Sequence, residues 1–318
     1  MKIVITDGQA VNPGDKSWAM LEELGEVEVY GNTTPEELTE RVRDAEVVVT
    51  NKVVFGAEEM DRAPKLRCIV VTATGYNIID CAAARERGIT VCNAPAYSSD
   101  SVAQITMAFL LEYAFHVGEH SRGVHANKWC ESPDFMYWDY PLIELVGKTL
   151  GIFGFGAIGH RVAKLAQAFG MNVLAYSRRA VPGTTEDGVL LVDKETLFAK
   201  SAYLTFHCPL NEESRGILCR ETIEKLPQGA VVINTARGGI AVEADVAEAL
   251  YSGKLAAYCA DVIGIEPMVW ENPLKGAPNC ILTPHLAWAT EESRDRLINI
   301  TIENVRAFAA GKPINVVN

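Results

Sequence analysis

Three glycines at fixed spacing, in Gly154-Phe-Gly156-Ala-Ile-Gly159, stand between two contrasting segments. Thr149-Leu-Gly-Ile-Phe153 before them is strand-like, and His160 to Phe169 after them has helical periodicity and stops at Gly170. Glycine lets the backbone turn tightly and approach a pyrophosphate. The first amides of the helix, with the partial positive charge of its N-terminus, suit that group, so Ala157 and Ile158 are expected to touch it through their backbone. The spacing alone is a weak signal. The preceding strand, the following helix and a second strand, Asn172-Val-Leu-Ala-Tyr176, make it specific for a dinucleotide. The bland alternative is an ordinary Gly-rich turn in an α/β protein.

The second strand ends in Ser177-Arg178-Arg179. An Asp or Glu about 20 residues past the glycine turn would bind the adenosine ribose 2′-OH and select NAD. Ser177 stands there instead and repels no 2′-phosphate. Arg178 and Arg179 offer forked, charge-assisted donors to such a phosphate. NADP is therefore favoured over NAD. The alternative is that both arginines are merely solvated turn residues.

These residues need a scaffold. The first part of the chain alternates strand candidates, Lys2–Thr6, Val27–Tyr30, Glu46–Thr50, Cys68–Thr72 and Ile89–Cys92, with helical segments such as Pro35–Arg43. A long helix is expected to start near Ser98 and to bridge to a second unit. There the glycine turn is followed by further strands at Tyr203–His207, Ala230–Asn234, Tyr258–Val262 and Cys280–Thr283. Such alternation implies an α/β fold with two doubly wound parallel sheets. The last helix, roughly 291–310, is expected to return to the first unit. That makes residues 1–99 and 288–318 one discontinuous domain and 100–287 the other.

Composition agrees with a chain able to bury two cores: 318 residues, 48% of them hydrophobic. The formal net charge of −12 argues against a general nucleic-acid role. No apolar run is long enough to span a membrane, and the N-terminus is already a strand rather than a signal peptide. Eight scattered cysteines, with no Cys-x-x-Cys pair, read as reduced core residues, so a cytoplasmic location is expected. Residues 123–145 contain Trp129 and Phe135-Met-Tyr-Trp138. They are too long and too aromatic for a simple connection, and read as an arm near 120–146 in a homodimer contact. The alternative is a loop folded over its own domain. His116 and His120 are four apart on the expected helix and His125 follows, but a metal site is not favoured.

Five blocks together resemble the D-isomer-specific 2-hydroxyacid dehydrogenase family: Ala73–Asp80, the glycine turn, Ile233–Gly239, Asp261–Pro267 and Thr283–Ala287. Their order and spacing cover nearly the whole chain. The Phe135–Leu145 stretch resembles the glycerate dehydrogenase, or hydroxypyruvate reductase, group. The resemblance implies a Rossmann-type cofactor domain inserted in a flavodoxin-like substrate (lid) domain. It also implies a catalytic set of Arg237, Glu266 and His285. Reduction of a 2-keto acid needs such a set: Arg237 to hold the carboxylate and carbonyl oxygen, His285 to exchange the proton, and Glu266 to orient His285. Taken singly, each of the three has a structural reading as a turn or loop residue.

By the same resemblance Asp261 binds the nicotinamide carboxamide, Thr235 and Ala236 line the ring, and Thr106 meets it from the other side. His207 and Pro209 lie beside the cofactor. Thr74 and Gly75 give amides to the substrate carboxylate, and Lys52 is a further candidate. Trp138 and Trp288 are candidates to close the pocket. With no basic cluster beyond Arg237 and Lys52, the expected partners are small 2-hydroxy and 2-keto acids, hydroxypyruvate/D-glycerate or glyoxylate/glycolate. Two readings compete: phosphoglycerate dehydrogenase, and an NAD(H)-sensing corepressor-like binding module on the same fold.

Overall fold

The computed structural model describes residues 1–318 and divides them into two compact units, residues 1–98 with 288–318 and residues 99–287. The first unit holds β1 (Lys2–Ile5), α1 (Ala19–Glu22), β2 (Glu26–Val29), α2 (Pro35–Val42), β3 (Val47–Thr50), α3 (Ala57–Asp61), β4 (Cys68–Val71), α4 (Cys81–Glu86) and β5 (Thr90–Cys92). Its five strands run in the order β2-β1-β3-β4-β5, and every pairing is parallel. β3 and β4 are buried along their whole length, as strands covered by helices on both faces must be. The core on one face takes in Leu297, Ile298, Ile302 and Val305 of the last helix, Glu291–Ala309.

The second unit begins with α5 (Ser99–Phe115) and α6 (Val117–His125). β6 (Thr149–Phe153), α7 (Ala157–Ala168) and β7 (Asn172–Tyr176) follow, then β8 (Thr185–Glu186), β9 (Val189–Leu191), α8 (Lys194–Lys200) and β10 (Tyr203–Phe206). α9 (Arg220–Lys225), β11 (Ala230–Asn234), α10 (Glu243–Tyr251), β12 (Leu255–Ala260) and β13 (Cys280–Leu282) complete it. The sheet order is β13-β12-β11-β10-β6-β7-β9-β8. Strand order reverses between β6 and β10, whose ends pair at Phe153 and Phe206, and ligands of such sheets bind beyond the carboxyl ends at that point.

Three departures from the sequence reading are local. β8 and β9 form an edge hairpin, β8 antiparallel, where no strand was expected. Its two-residue turn is Asp187-Gly188, with φ of 50° and 75°, a recognised hairpin signal. The strand placed at Tyr258–Val262 instead spans Leu255–Ala260. The long helix also breaks: His116 takes a left-handed conformation, φ 47°, between α5 and α6. His116 thus leaves the helical face shared with His120 and stacks on Tyr140 at 4.5 Å.

Candidate active site

The glycine turn closes β6 against the neighbouring strand. Gly154 has φ of +105°, and a Cβ there would lie 2.6 Å from the His207 carbonyl oxygen. A Cβ on Gly159 would lie 2.4 Å from the Gly154 carbonyl, so only glycine allows α7 to pack this closely. Gly156 is different. A Cβ there would meet open space, and Gly156 is the N-cap of the twelve-residue α7. The first amides of that helix, from Ala157 and Ile158, lack intrahelical acceptors. The result is an open cradle with a positive helix end, which fits a dinucleotide pyrophosphate.

A cavity of about 290 Å³ lies over this cradle. Gly154 and Gly156 line it with Ser177, Arg178, Arg179, His207 and Pro209. Glu213, which the sequence reading passed over, shares the wall. His207 Nε2 meets Thr205 Oγ1 at 3.0 Å and Nδ1 meets Thr235 Oγ1 at 3.4 Å. Burial pushes the His207 imidazole down to about 3, so it is neutral at physiological pH.

Thr106 lies directly behind Thr235. It is fully buried, donates to the Val102 carbonyl at 2.8 Å and meets Thr235 Oγ1 at 3.4 Å. It backs Thr235, one of the two residues expected to line the nicotinamide ring. Thr235 and Ala236 are themselves 8% exposed.

Arg237 starts the turn after β11. Asn234, the buried last residue of that strand, donates to the Arg237 carbonyl at 2.9 Å and accepts from the Ala236 amide at 3.1 Å. Asn234 was not singled out by sequence, although a polar residue ending the apolar run Ala-Val-Val-Ile is a signal that it bonds a turn. The guanidinium donates once, from Nη1 to the Ala236 carbonyl at 2.7 Å. A Cβ on Gly238 would lie 1.9 Å from the Ile263 carbonyl carbon and oxygen. Glycine thereby lets the Arg237 turn touch the segment that leads to Glu266.

Glu266 and His285 meet: Nδ1 of His285 lies 2.6 Å from Glu266 Oε2. A carboxylate can only accept, so Nδ1 carries the hydrogen and Nε2 is the ring atom left for chemistry. Glu266 Oε1 also accepts from the Ile263 amide at 3.2 Å. His285 sits at φ 53°, a left-handed conformation that costs a non-glycine residue energy. Asp261 maintains it. This carboxylate, 1% exposed, accepts from the Thr283 hydroxyl at 2.6 Å and from the amides of Leu286 and Ala287 at 2.8 Å each. Its backbone carbonyl accepts from the His285 amide at 2.9 Å. Asp261 is thus committed to the loop carrying His285, a task the sequence reading did not give it.

The remaining candidates belong to the first unit. Thr74 turns its hydroxyl to the Ala94 carbonyl at 2.9 Å and accepts from Asn93 Nδ2 at 2.8 Å through its own carbonyl, which fixes the loop that includes Gly75. Lys52 lines a separate cavity of about 460 Å³, and its amide donates to Asp7 Oδ2 at 2.6 Å. Trp288 packs edge-on against Tyr97 at 6.3 Å. No group of three or more His, Cys, Asp or Glu side chains is placed to hold a metal ion.

A dinucleotide cradle and a carboxylate–imidazole pair in one sheet are the equipment of a nicotinamide-dependent oxidoreductase. Comparison with known proteins agrees. Residues 107–287 match the model of the D-isomer specific 2-hydroxyacid dehydrogenase NAD binding domain. The whole chain is 46% identical over 321 residues to a hydroxypyruvate reductase of Blautia hydrogenotrophica, covering 100% of both. It is 37% identical to a glycerate dehydrogenase of Methylorubrum extorquens, over 99% of this chain and 98% of that one. Among solved structures, an acyclic imino acid reductase in complex with NADPH and D-Arg superimposes with a TM-score of 0.87 at 26% identity, covering 100% of both chains. The chain belongs to the D-isomer specific 2-hydroxyacid dehydrogenase family. It is an NAD(P)-dependent oxidoreductase of hydroxyacids.

Proposed function

We propose that this enzyme reduces hydroxypyruvate to D-glycerate, with glyoxylate as a second substrate, and that it prefers NADPH. The observation that carries the chemistry is the 2.6 Å bond between Glu266 and His285. It leaves His285 Nε2 with no partner in the chain, as a proton donor requires. In reduction, Nε2 gives its proton to the carbonyl oxygen while Glu266 holds Nδ1–H and keeps the ring in place. The guanidinium of Arg237 has donors left over after its bond to Ala236, and these bind the substrate carboxylate and the developing oxyanion. Asp261 holds the loop on which the proton donor sits. A nicotinamide dinucleotide, bound by Gly154, Gly156, the Ala157 and Ile158 amides and the Ser177–Arg179 turn, supplies the hydride.

Substrate choice is read from the same turn. Ala236-Arg237-Gly238-Gly239 brings one guanidinium, a match for one carboxylate and no phosphate. The likeness to a hydroxypyruvate reductase and a glycerate dehydrogenase supports this size class. The test is NADPH oxidation with a panel of 2-keto acids. Hydroxypyruvate should give the highest kcat/KM. A higher value for 3-phosphohydroxypyruvate overturns the assignment, and no turnover with any acid favours a binding module.

The enzyme is proposed to act as a homodimer. Tyr137 donates to the His120 carbonyl and Tyr140 stacks on His116, so the arm is anchored on α6. Phe135 is nonetheless 83% exposed, and Trp129 and Trp138 are also exposed. An anchored arm that still shows aromatic surface suits a two-fold contact. Sedimentation as a monomer at micromolar concentration would contradict it.

A further inference from the structure

The dinucleotide cavity contains an acid, but not where the sequence pattern looks for one. Ser177 occupies the end of β7. The carboxylate comes from Glu213, in the turn that follows β10. Asn211 builds that turn: its Oδ1 accepts from the amides of Glu213 and Ser214 at 3.0 Å each, and the Ser214 hydroxyl donates to the Pro209 carbonyl at 2.7 Å. The Glu213 backbone is therefore fixed. Its side chain is fixed as well. Oε1 accepts from the Tyr176 hydroxyl at 3.0 Å and from the Lys194 ammonium, and Oε2 faces Arg178 Nε at 3.8 Å. The bonds from Lys194 and Tyr176 hold the carboxyl below the usual range, so it is an anion at neutral pH.

We propose that Glu213 is a specificity-determining residue of the cofactor site, setting how strongly the enzyme prefers a ribose 2′-phosphate over a 2′-hydroxyl. The inference rests on the reading of this cavity as the NAD(P) site. Arg178 is the arginine that faces Glu213, and a 2′-phosphate must compete with that carboxylate for the same guanidinium. The carboxylate also repels the phosphate directly, whereas a ribose hydroxyl can donate to it. Arg178 and Arg179 thus pull the preference toward the phosphate, and Glu213 pulls it back. The usual contest, settled by one residue at the strand end, is here divided between two strands.

The test uses the full-length protein and two fragments of the cofactor, adenosine 2′,5′-bisphosphate and adenosine 5′-monophosphate, titrated calorimetrically at low ionic strength. The readout is the ratio of the two dissociation constants. Glu213→Gln keeps the shape and can still accept from Tyr176. It should raise the preference for the bisphosphate about tenfold, the effect of one charge-assisted contact. Glu213→Asp, which keeps the charge, should retain the wild-type ratio. In an Arg178→Ala background the effect of Glu213→Gln should shrink sharply, because the contested guanidinium is gone. An unchanged ratio in Glu213→Gln, or equal weakening of both nucleotides, overturns the proposal and leaves Glu213 a structural turn residue. A wild-type protein that prefers the monophosphate overturns only the NADPH preference proposed above, provided Glu213→Gln still shifts the ratio. Failure of both fragments to bind the wild type overturns both.

Discussion

The loop that carries His285 and the turn that carries Arg178 and Arg179 both leave the same eight-stranded sheet, and they are held in opposite ways. The His285 loop is gripped by one buried carboxylate: Asp261 takes the Thr283 hydroxyl and the Leu286 and Ala287 amides, all within 2.8 Å. The arginine turn is exposed, and Arg178 has one ion-pair partner, Glu213, at 3.8 Å. The difference follows from what each must do. Proton transfer requires a heavy-atom distance of about 2.6–3.2 Å, so its donor must be fixed. Attraction between charges falls off slowly with distance, so a guanidinium can recognise a phosphate from an exposed turn. Buried hydrogen bonds are concentrated where chemistry needs a fixed distance.

Removing the proton donor should have the largest effect. His285→Ala should lower kcat by about 10²–10⁴-fold, while fluorescence titration shows cofactor affinity little changed, because the cradle at Gly154 and Gly156 lies elsewhere in the sheet. Near-normal turnover would remove His285 from the mechanism and erase the functional half of the contrast.

A smaller loss should follow from loosening the loop without touching its histidine. Asp261→Asn preserves size but replaces one acceptor with an NH₂ group that faces amide or hydroxyl donors. Each charge-assisted bond is worth about 1.5–3 kcal/mol, so losing one good geometry should cost about ten- to a hundredfold in kcat. Thermal unfolding should also shift down, since the variant leaves a buried donor without an acceptor. A melting temperature that falls while kcat stays at the wild-type value would show that the grip serves stability alone.

The contrast also explains what the sequence made legible. The glycine turn could be read because its constraints are local: Gly154 needs a positive φ, and Gly159 touches Gly154 five residues away. Both sheets followed from runs of β-branched residues alternating with helical segments. The break at His116 falls on a residue that is neither Gly nor Pro, and the stack on Tyr140 accompanies it. Asp187-Gly188 is the one local signal of the β8–β9 hairpin, whose strands of two and three residues are too short to show a pattern. Asn234, Asp261 and Glu213 show the limit more clearly. Each is an ordinary polar residue whose importance lies in what it bonds: Asp261 grips a loop more than twenty residues away, and Glu213 meets a tyrosine on another strand. Spacing in one chain does not encode such partners.

The smallest expected effect belongs to the loosely held side. Ser177 puts no charge at the end of β7, and Arg178 is 65% exposed on its side chain, so solvent screens much of what it can give a phosphate. One partly exposed pair should therefore yield roughly a tenfold preference for NADPH in kcat/KM. Ser177→Asp with Arg178→Ala adds an anion where the 2′-phosphate would sit and removes one of its two donors, and should turn the preference toward NADH. Because neither residue touches Glu266, His285 or Asp261, kcat with saturating NADH should stay close to the wild-type value. That pairing is the sharp form of the comparison: cofactor choice should move while the proton step does not. A parallel fall in kcat would mean that the exposed turn and the gripped loop are coupled. A wild-type enzyme that prefers NADH would mean that Glu213 already outweighs both arginines.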